Sequence, residues 1–274
     1  MIARTNTEAQ EKQQCPPLQD LGVLLQASPA LAAGVCDVPA PQQRELGIAG
    51  PAGIISDLVL TSPKHQAITG LSLRCKQGID FVLSCVLLLI ALPIMVVIWI
   101  AIRCDSKGPG IIVQDRIGYR GRPFKFYKFR TMYSDCDDRA HRIYVKDWMR
   151  NRPAKNTAVF KIVGDQRVTR IGTILRRYSL DELPQLFNVL KFDMSLVGPR
   201  PALPYEVDNY APWHRERFEA PPGLTGLWQV SGRNLLSFED MVRLDIEYLR
   251  RWSLCLDLKL LIKTIPAVIH ATGH

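Results

Sequence analysis

Two adjacent carboxylates, Asp181 and Glu182, stand in a stretch dense in guanidinium groups, with Arg176 and Arg177 before them and Arg200 after. Adjacent carboxylates repel, so keeping both ionised calls for a divalent cation such as Mg2+ or a set of arginines. Guanidinium groups in turn grip phosphate through paired N–H donors. An acid pair, arginines and a divalent ion together make a site for phosphoryl chemistry. A blander account covers the same acids. Pro184 is tolerated only in the first turn of a helix, which puts Asp181 and Glu182 at a helix N-terminus, where the macrodipole favours acids. Ser179 and Glu182 have capping-box spacing. Residue types alone leave both accounts open.

The elements that must hold these side chains are legible as patterns. Leu183, Leu186, Phe187 and Leu190 recur at i, i+3, i+4 and i+7, which predicts a helix with a buried face directly after the acids. Ile174, Leu175 and Tyr178 predict a short helix before them. Ile111 to Arg116 and Phe124 to Arg130, separated by Gly118-Tyr119-Arg120-Gly121, read as a hairpin of two short strands. The two-residue strand period puts Phe124, Phe126, Lys128 and Arg130 on one face, so two cations point the same way. An edge strand guarded by Lys and Arg fits that pattern too. Residues 135 to 151 predict an exposed charged helix, and Gly198-Pro199-Arg200-Pro201 an extended turn. Asp245 to Ile262 reads as one apolar helix, suited to core packing or to a membrane interface.

From Phe81 to Ile102 every residue is apolar, small or Pro, which is long enough to cross a bilayer. Pro93 sits in the middle of this run, and basic residues flank both ends: Arg74 and Lys76 before, Arg103 and Lys107 after. Cations on both sides give no orientation by the positive-inside rule. A straight span with a tolerated proline and a helix that bends at Pro93 and returns to the same face both fit. Residues 1 to 70 are rich in Pro, Gln, Ala and Gly without sustained periodicity and read as a flexible tail. That tail holds four Lys/Arg against six Asp/Glu, so the formal charge of +9 for the whole chain becomes +11 over the part that folds. Such a surplus attracts anionic lipid, phosphorylated small molecules or nucleic acid. No nucleic-acid motif is present, and the cations are interleaved with acids, so nucleic acid is not the expected partner. The seven cysteines lack metal-ligand spacing and read as reduced thiols.

Several ordered motifs carry a resemblance. They are Asp80 leading the apolar segment with its central proline; Gln114-Asp115-Arg116-Ile117-Gly118; Lys128-Phe129-Arg130-Thr131-Met132; and Ser179-Leu180-Asp181-Glu182-Leu183-Pro184-Gln185. Asp193-Met194-Ser195-Leu196-Val197-Gly198-Pro199-Arg200-Pro201 follows, then Pro222-Gly223-Leu224-Thr225-Gly226 and Gln229-Val230-Ser231-Gly232-Arg233-Asn234. From about Lys76 to Ile269 the chain resembles the bacterial sugar transferases, the monotopic polyprenyl-phosphate phosphoglycosyl transferases.

The resemblance implies an α+β fold, mainly helical with a short β-hairpin, on a re-entrant helix-break-helix anchor broken at Pro93. It divides the chain into a tail (1–70), an anchor (71–104) and a catalytic domain (105–274) facing the cytoplasm at the inner membrane. It implies that Asp181 attacks the sugar-proximal phosphate of a UDP-sugar, that UMP leaves, and that a polyprenyl (undecaprenyl) phosphate takes up the phosphosugar. Glu182 is then expected to help hold Mg2+, and Lys128, Arg130, Arg176, Arg200 and Arg233 to surround the phosphates or knit the site together. Many relatives place Ser before the breaking Pro, whereas this chain has Leu92. The family architecture is compatible with a homodimer. A catalytically silent membrane adaptor of a polysaccharide assembly complex is the alternative; the intact acid pair weighs against it.

Overall fold

The computed structural model describes residues 70–134, 136, 139–150, 165–231 and 236–269; the tail expected over 1–70 therefore lies almost wholly outside the described residues. The chain starts on α1 (Gly70–Asp105), a helix of 36 residues with Pro93 inside it. It is the one helix among the described residues long and apolar enough to cross a membrane. The run is helical from end to end, and the two halves expected around Pro93 are not separate elements. One stripe of α1 faces the protein along its length: Lys76, Asp80 and Ser84, then Met95, Ile98 and Ile102 are buried, and Leu88 and Ala91 are half-buried between them. The spacing of four and three residues is that of a single helix face. The rest of the surface, including Val82, Leu89, Ile90 and Val97, is exposed and apolar.

The predicted hairpin forms. β1 (Ile111–Ile117) pairs antiparallel with β2 (Pro123–Phe129) in a register running from Ile111 opposite Phe129 to Ile117 opposite Pro123. Helix α2 (Arg139–Arg150) falls where a charged helix was expected, yet it buries Val145 and Trp148 and so packs on the core. Helix α3 (Arg170–Arg177) follows, N-capped by Thr169, whose side chain accepts from the Gly172 amide. A Cβ on Gly172 would lie 2.1 Å from the Thr131 carbonyl oxygen, so only glycine lets α3 sit this close to the end of the hairpin.

The helix expected from Leu183 is two pieces, a 3-10 helix (Leu180–Gln185) that leads into α4 (Leu186–Leu190). This change of winding turns Phe187 outward while Leu186 and Val189 reach the core. Next come β3 (Ser195–Val197) and α5 (Pro204–Val207), then a 3-10 segment (Pro212–Glu219), β4 (Gly223–Thr225) and α6 (Leu227–Val230). Strands β3 and β4 form a two-stranded parallel pair that the sequence patterns did not suggest. Both strands are short, and both lie among glycine and proline. Close approach requires the glycines here: a Cβ on Gly223 would lie 2.1 Å from the Gly198 nitrogen.

The C-terminal helix read as continuous is also two elements, α7 (Phe238–Arg250) and α8 (Leu254–Ile269). Ser237 caps α7 by accepting from the Asp240 amide, and the chain breaks at Arg251 to Ser253, where no apolar period marks the junction. The main core joins α4, β3, α6, α7 and α8 through Leu186, Leu196, Leu227, Val242 and Leu260. A second core is built from both sides of the anchor contact: Met95, Ile98 and Ile102 of α1 meet Phe129 and Leu175.

Polar groups fasten each end of α1 to the same body. Near its start, the fully buried Lys76 ammonium lies 2.6 Å from Asp257 on α8 and 3.4 Å from Asp80. Asp80 accepts from the Ser195 hydroxyl at 2.6 Å, and Tyr248 donates to Asp257 at 2.7 Å. At the other end, Arg130 donates to the carbonyls of Lys107, Ser106 (2.7 Å) and Ile102 (3.4 Å), and to the Ser106 hydroxyl (3.0 Å). These carbonyls belong to a helix C-terminus and the turn after it, where Arg130 adds to the Ser106 amide already on Ile102 and the Ser134 hydroxyl on Lys107. Of the described cysteines, Cys75, Cys85, Cys104 and Cys255 are free.

Candidate active site

Asp181 lies in the first turn of the 3-10 helix and is 7% exposed. The capping box that its neighbours suggested does not form. Ser179 is left-handed (φ 56°), and its side chain makes no cap. A non-glycine residue in that region is strained, and such strain gathers where the surroundings over-determine a functional geometry. The acids are thereby relieved of the capping role that rivalled chemistry.

Lys128 reaches Asp181 from β2, with Nζ 3.5 Å from Oδ2. Asn188 of α4 sets this approach. It is fully buried, its Oδ1 accepts from the Tyr127 amide at 3.1 Å, and its Nδ2 donates to the Lys125 carbonyl at 2.6 Å. One side chain thus pairs with the free edge of β2 as a neighbouring strand would, and holds Lys128 against the turn that carries Asp181. Burial pushes the Lys128 ammonium below the ordinary lysine value; Asp181 opposes this, while Arg176 and Arg116 add to it.

The remaining cations stand around this pair. Arg176 on α3 is half-buried; burial lowers its guanidinium, and Asp181 and Asp165 pull the other way. Asp165 is bound by Arg167 at 2.8 and 2.7 Å, which outweighs burial and lowers its carboxyl. Arg116 enters from β1, donates to the Pro201 carbonyl at 3.2 Å and lies 5.0 Å from the Phe126 ring centroid. Burial and Arg200 bring its guanidinium down to about 10, against Glu206, Tyr205 and Glu182. Arg200 lies 3.4 Å from the buried Glu206, and its carbonyl accepts from Arg217 at 3.1 Å. Burial would raise Glu206, but Arg200 and Arg116 win and hold it low. Arg217 is itself buried in an ion pair with Asp245.

The structure therefore brings together Asp181, Glu182, Lys128 and Arg176, and links them through Arg116 to Arg200. Arg130 does not join them. Strand β2 ends at Phe129, and the next residue turns to the end of α1, where Arg103 and Asp105 are its charged neighbours. Of the two roles expected of it, surrounding the phosphates or knitting the site together, its contacts to the Ile102, Ser106 and Lys107 carbonyls are of the knitting kind. Arg233 lies outside the described residues. Sequence reasoning missed the placements of Arg116, Asn188, Arg167 and Glu206. Only Arg116 carried a signal, its place within Gln114-Asp115-Arg116-Ile117-Gly118.

Two carboxylates at this spacing suit Mg2+, which is bound through one or two carboxylates and completes its shell with phosphate oxygens and water. Among the described residues no group of three or more His, Cys, Asp or Glu gathers around a common centre, and the expectation that Glu182 helps hold Mg2+ rests on the chemistry of the adjacent carboxylates.

A mostly helical body carried on one long apolar helix, with an acid pair set among cations, is the build of a membrane-associated protein that handles anionic groups. The chain belongs to the bacterial sugar transferase family, whose model matches residues 71–271. It is similar to the undecaprenyl-phosphate galactose phosphotransferase of Salmonella typhimurium, 41% identical over 201 residues, which cover 72% of this chain and 41% of that protein. It is similar also to the exopolysaccharide production protein ExoY of Rhizobium meliloti, 38% identical over 201 residues, 72% of this chain and 87% of the relative. The UDP-glucose:undecaprenyl-phosphate glucose-1-phosphate transferase of Caulobacter vibrioides is 38% identical over 204 residues, 71% of this chain and 69% of the relative. The matched residues cover about two fifths of the longer curated relatives, such as the Salmonella protein.

Proposed function

We propose that this protein transfers a phosphosugar from a UDP-sugar to a polyprenyl phosphate, with Asp181 as the covalent nucleophile. The observation that carries the reading is the Asp181 carboxylate, buried 3.5 Å from Lys128 on a turn entered through a strained residue. A carboxylate oxygen of Asp181 attacks the sugar-proximal phosphorus, the bond to the bridging oxygen breaks, and UMP leaves with that electron pair. A phosphate oxygen of the polyprenyl phosphate then attacks the same phosphorus and frees the carboxylate, giving a polyprenyl diphosphosugar. Lys128, Arg176 and Arg116 hold phosphate oxygens in line and offset the charge that builds on them. Mg2+, held by Asp181 and Glu182, would supply Lewis-acid neutralisation of the diphosphate. The names of the relatives point to galactose or glucose as the sugar class.

The anchor reading is re-entrant, with both ends of α1 on the cytoplasmic side of the inner membrane. Support comes from the two fastenings: Lys76 at one end and Arg130 at the other tie α1 to one body. A straight helix of 36 residues is about 54 Å long, against about 30 Å of hydrocarbon. A transbilayer path would pull one fastened end away from that body. Pro93 is where the helix can bend, because it lacks the amide that would bond back to Leu89.

The covalent step is tested by mixing the purified protein with Mg2+ and UDP-galactose or UDP-glucose without lipid. Intact-mass analysis should show a phosphohexose adduct that Asp181→Asn abolishes. Turnover with acceptor present but no adduct trapped under any lipid-free condition would rule out the aspartyl route.

A further inference from the structure

Beyond the phosphate-binding cations, a second polar group stands at the site and has no part in phosphoryl transfer. His141 of α2 and Tyr205 of α5 meet with Nδ1 and the phenol oxygen 2.7 Å apart, their rings edge to face with centroids 6.3 Å apart. The Arg142 guanidinium lies 5.2 Å from the Tyr205 ring centroid, so the ring is steadied from a second direction. Both residues are half-buried, open enough to meet a ligand and confined enough to orient it.

Their surroundings place them next to the proposed chemistry. Tyr205 precedes Glu206, which lies 3.4 Å from Arg200, and Arg116, which feels Glu182 as well as Tyr205 and Glu206, donates to the Pro201 carbonyl next in the chain to Arg200. His141 responds to Glu206, Arg200, Arg167 and Arg116, while Arg167 and Asp165 stand in turn beside Arg176. Burial, with those arginines against Glu206, holds the imidazole down to about 4, so it is neutral under working conditions. A neutral imidazole and a phenol are poor partners for phosphate beside several guanidinium groups. They suit hydroxyl or amide groups, to which each can donate or accept.

We propose that His141 and Tyr205 form a recognition site for the uncharged, hydroxyl- or amide-bearing ring carried at one end of the donor's diphosphate. This rests on the reading of Asp181 as attacking a UDP-sugar. The diphosphate has two such ends, the hexose and the nucleoside, and the same hydrogen-bonding chemistry serves either. The pair adjoins the Glu206–Arg200 ion pair, so it grips the donor through a group other than the reacting phosphorus and sets which donor is held. A site built to bond a hydroxyl discriminates strongly, because its own polar groups are stranded when the wrong ring arrives.

The test is equilibrium titration of full-length protein in detergent with UMP, UDP-glucose and UDP-galactose, for the unaltered chain and for Tyr205→Phe and His141→Gln. Tyr205→Phe removes the phenol hydroxyl, His141→Gln replaces the imidazole by an amide of different geometry, each with little change in volume, and a thermal scan of each shows whether it is folded. We expect about tenfold weaker binding of at least one ligand. Equal losses for all three assign the pair to the nucleoside. Intact UMP binding with unequal losses for the two sugars assigns it to the hexose. Folded variants that bind all three ligands as the unaltered chain does would overturn the inference and leave the transferase reading standing. Failure of the unaltered chain to bind any of the three would bring down both.

Discussion

Lys128 and Arg130, two residues apart on one strand's continuation, separate chemistry from architecture. Lys128 faces Asp181, whereas Arg130 closes the end of α1. Lys128→Met is expected to lower turnover by about a hundredfold or more with little change in thermal midpoint. Arg130→Ala is expected to do the reverse in proportion, costing about 2–4 kcal/mol of stability as carbonyls at the helix end lose their donor. Paired kinetics and melting curves would show it, and a purely kinetic effect of Arg130→Ala would count against the capping role. The ionisation of these groups has a readable sign. Lys128 has a folded-state pKa below the usual lysine value, and its protonated form is the one that can meet phosphate. Activity should therefore fall on the alkaline side before an ordinary lysine would titrate, and Lys128→Arg should move that limb upward. His141 gives the opposite limb for stability. Its pKa is about 4 in the folded state against 6.5 for the free group, so the unfolded chain binds its proton first. The stability it favours is complete above about pH 6.5 and is lost as pH falls toward about 4. Urea titrations at several pH values should show this slope, and His141→Gln should flatten it. At this scale the sequence singles out the acid pair through Arg176, its neighbour both in the chain and in charge, but not through its ion-pair partner Lys128, which lies far off in the chain. Arg116 and His141 were not legible, because their partners Pro201 and Tyr205 lie more than sixty residues away in the chain.

The 3-10 turn with Asp181 depends on what is packed around it. Asn188 fixes β2 against that turn, and Gly172 allows α3, with Arg176 one turn later, to lie against Thr131. Asn188→Ala leaves the Tyr127 amide and the Lys125 carbonyl without that partner, at a cost of about 1–3 kcal/mol. Its kinetic signature should be a lower turnover that cannot be restored by raising donor concentration, since it displaces Lys128 and not the donor's far end. The hairpin was readable because alternation and a glycine turn are local signals. The β3 and β4 pairing was not, since three-residue parallel strands carry no period of their own. The split of the C-terminal helix at Trp252 escaped because no glycine or proline marks Arg251 to Ser253, and Asp257 is taken up by Lys76, Tyr248 and Trp252.

For the molecule as a whole, the path of α1 relative to the bilayer decides where the site stands. Cys75 and Cys104 flank the apolar run, and both are exposed thiols. In single-cysteine variants, a membrane-impermeant maleimide applied to intact cells should reach neither one if both ends are cytoplasmic. Labelling of either one alone from outside would establish a full crossing. Hydropathy marks the run's length, but its fastening to the body rests on Lys76, Asp80 and Asp257, charges that a reading of apolar length passes over.

That fastening bears on how the protein can be cut. Removing everything before residue 106 is the obvious way to seek a water-soluble catalytic fragment, on the view that α1 is only a tether. Met95, Ile98 and Ile102 are one wall of an interior whose other wall is Phe129 and Leu175. Such a fragment would lose that wall, take the Ile102 carbonyl from Arg130, and present a raw seam beside the turn that carries Asp181. It is expected to aggregate or to melt at once. The soluble and membrane halves of this protein are thus one folding unit, and detergent that covers the outer face of α1 will serve where deletion will not.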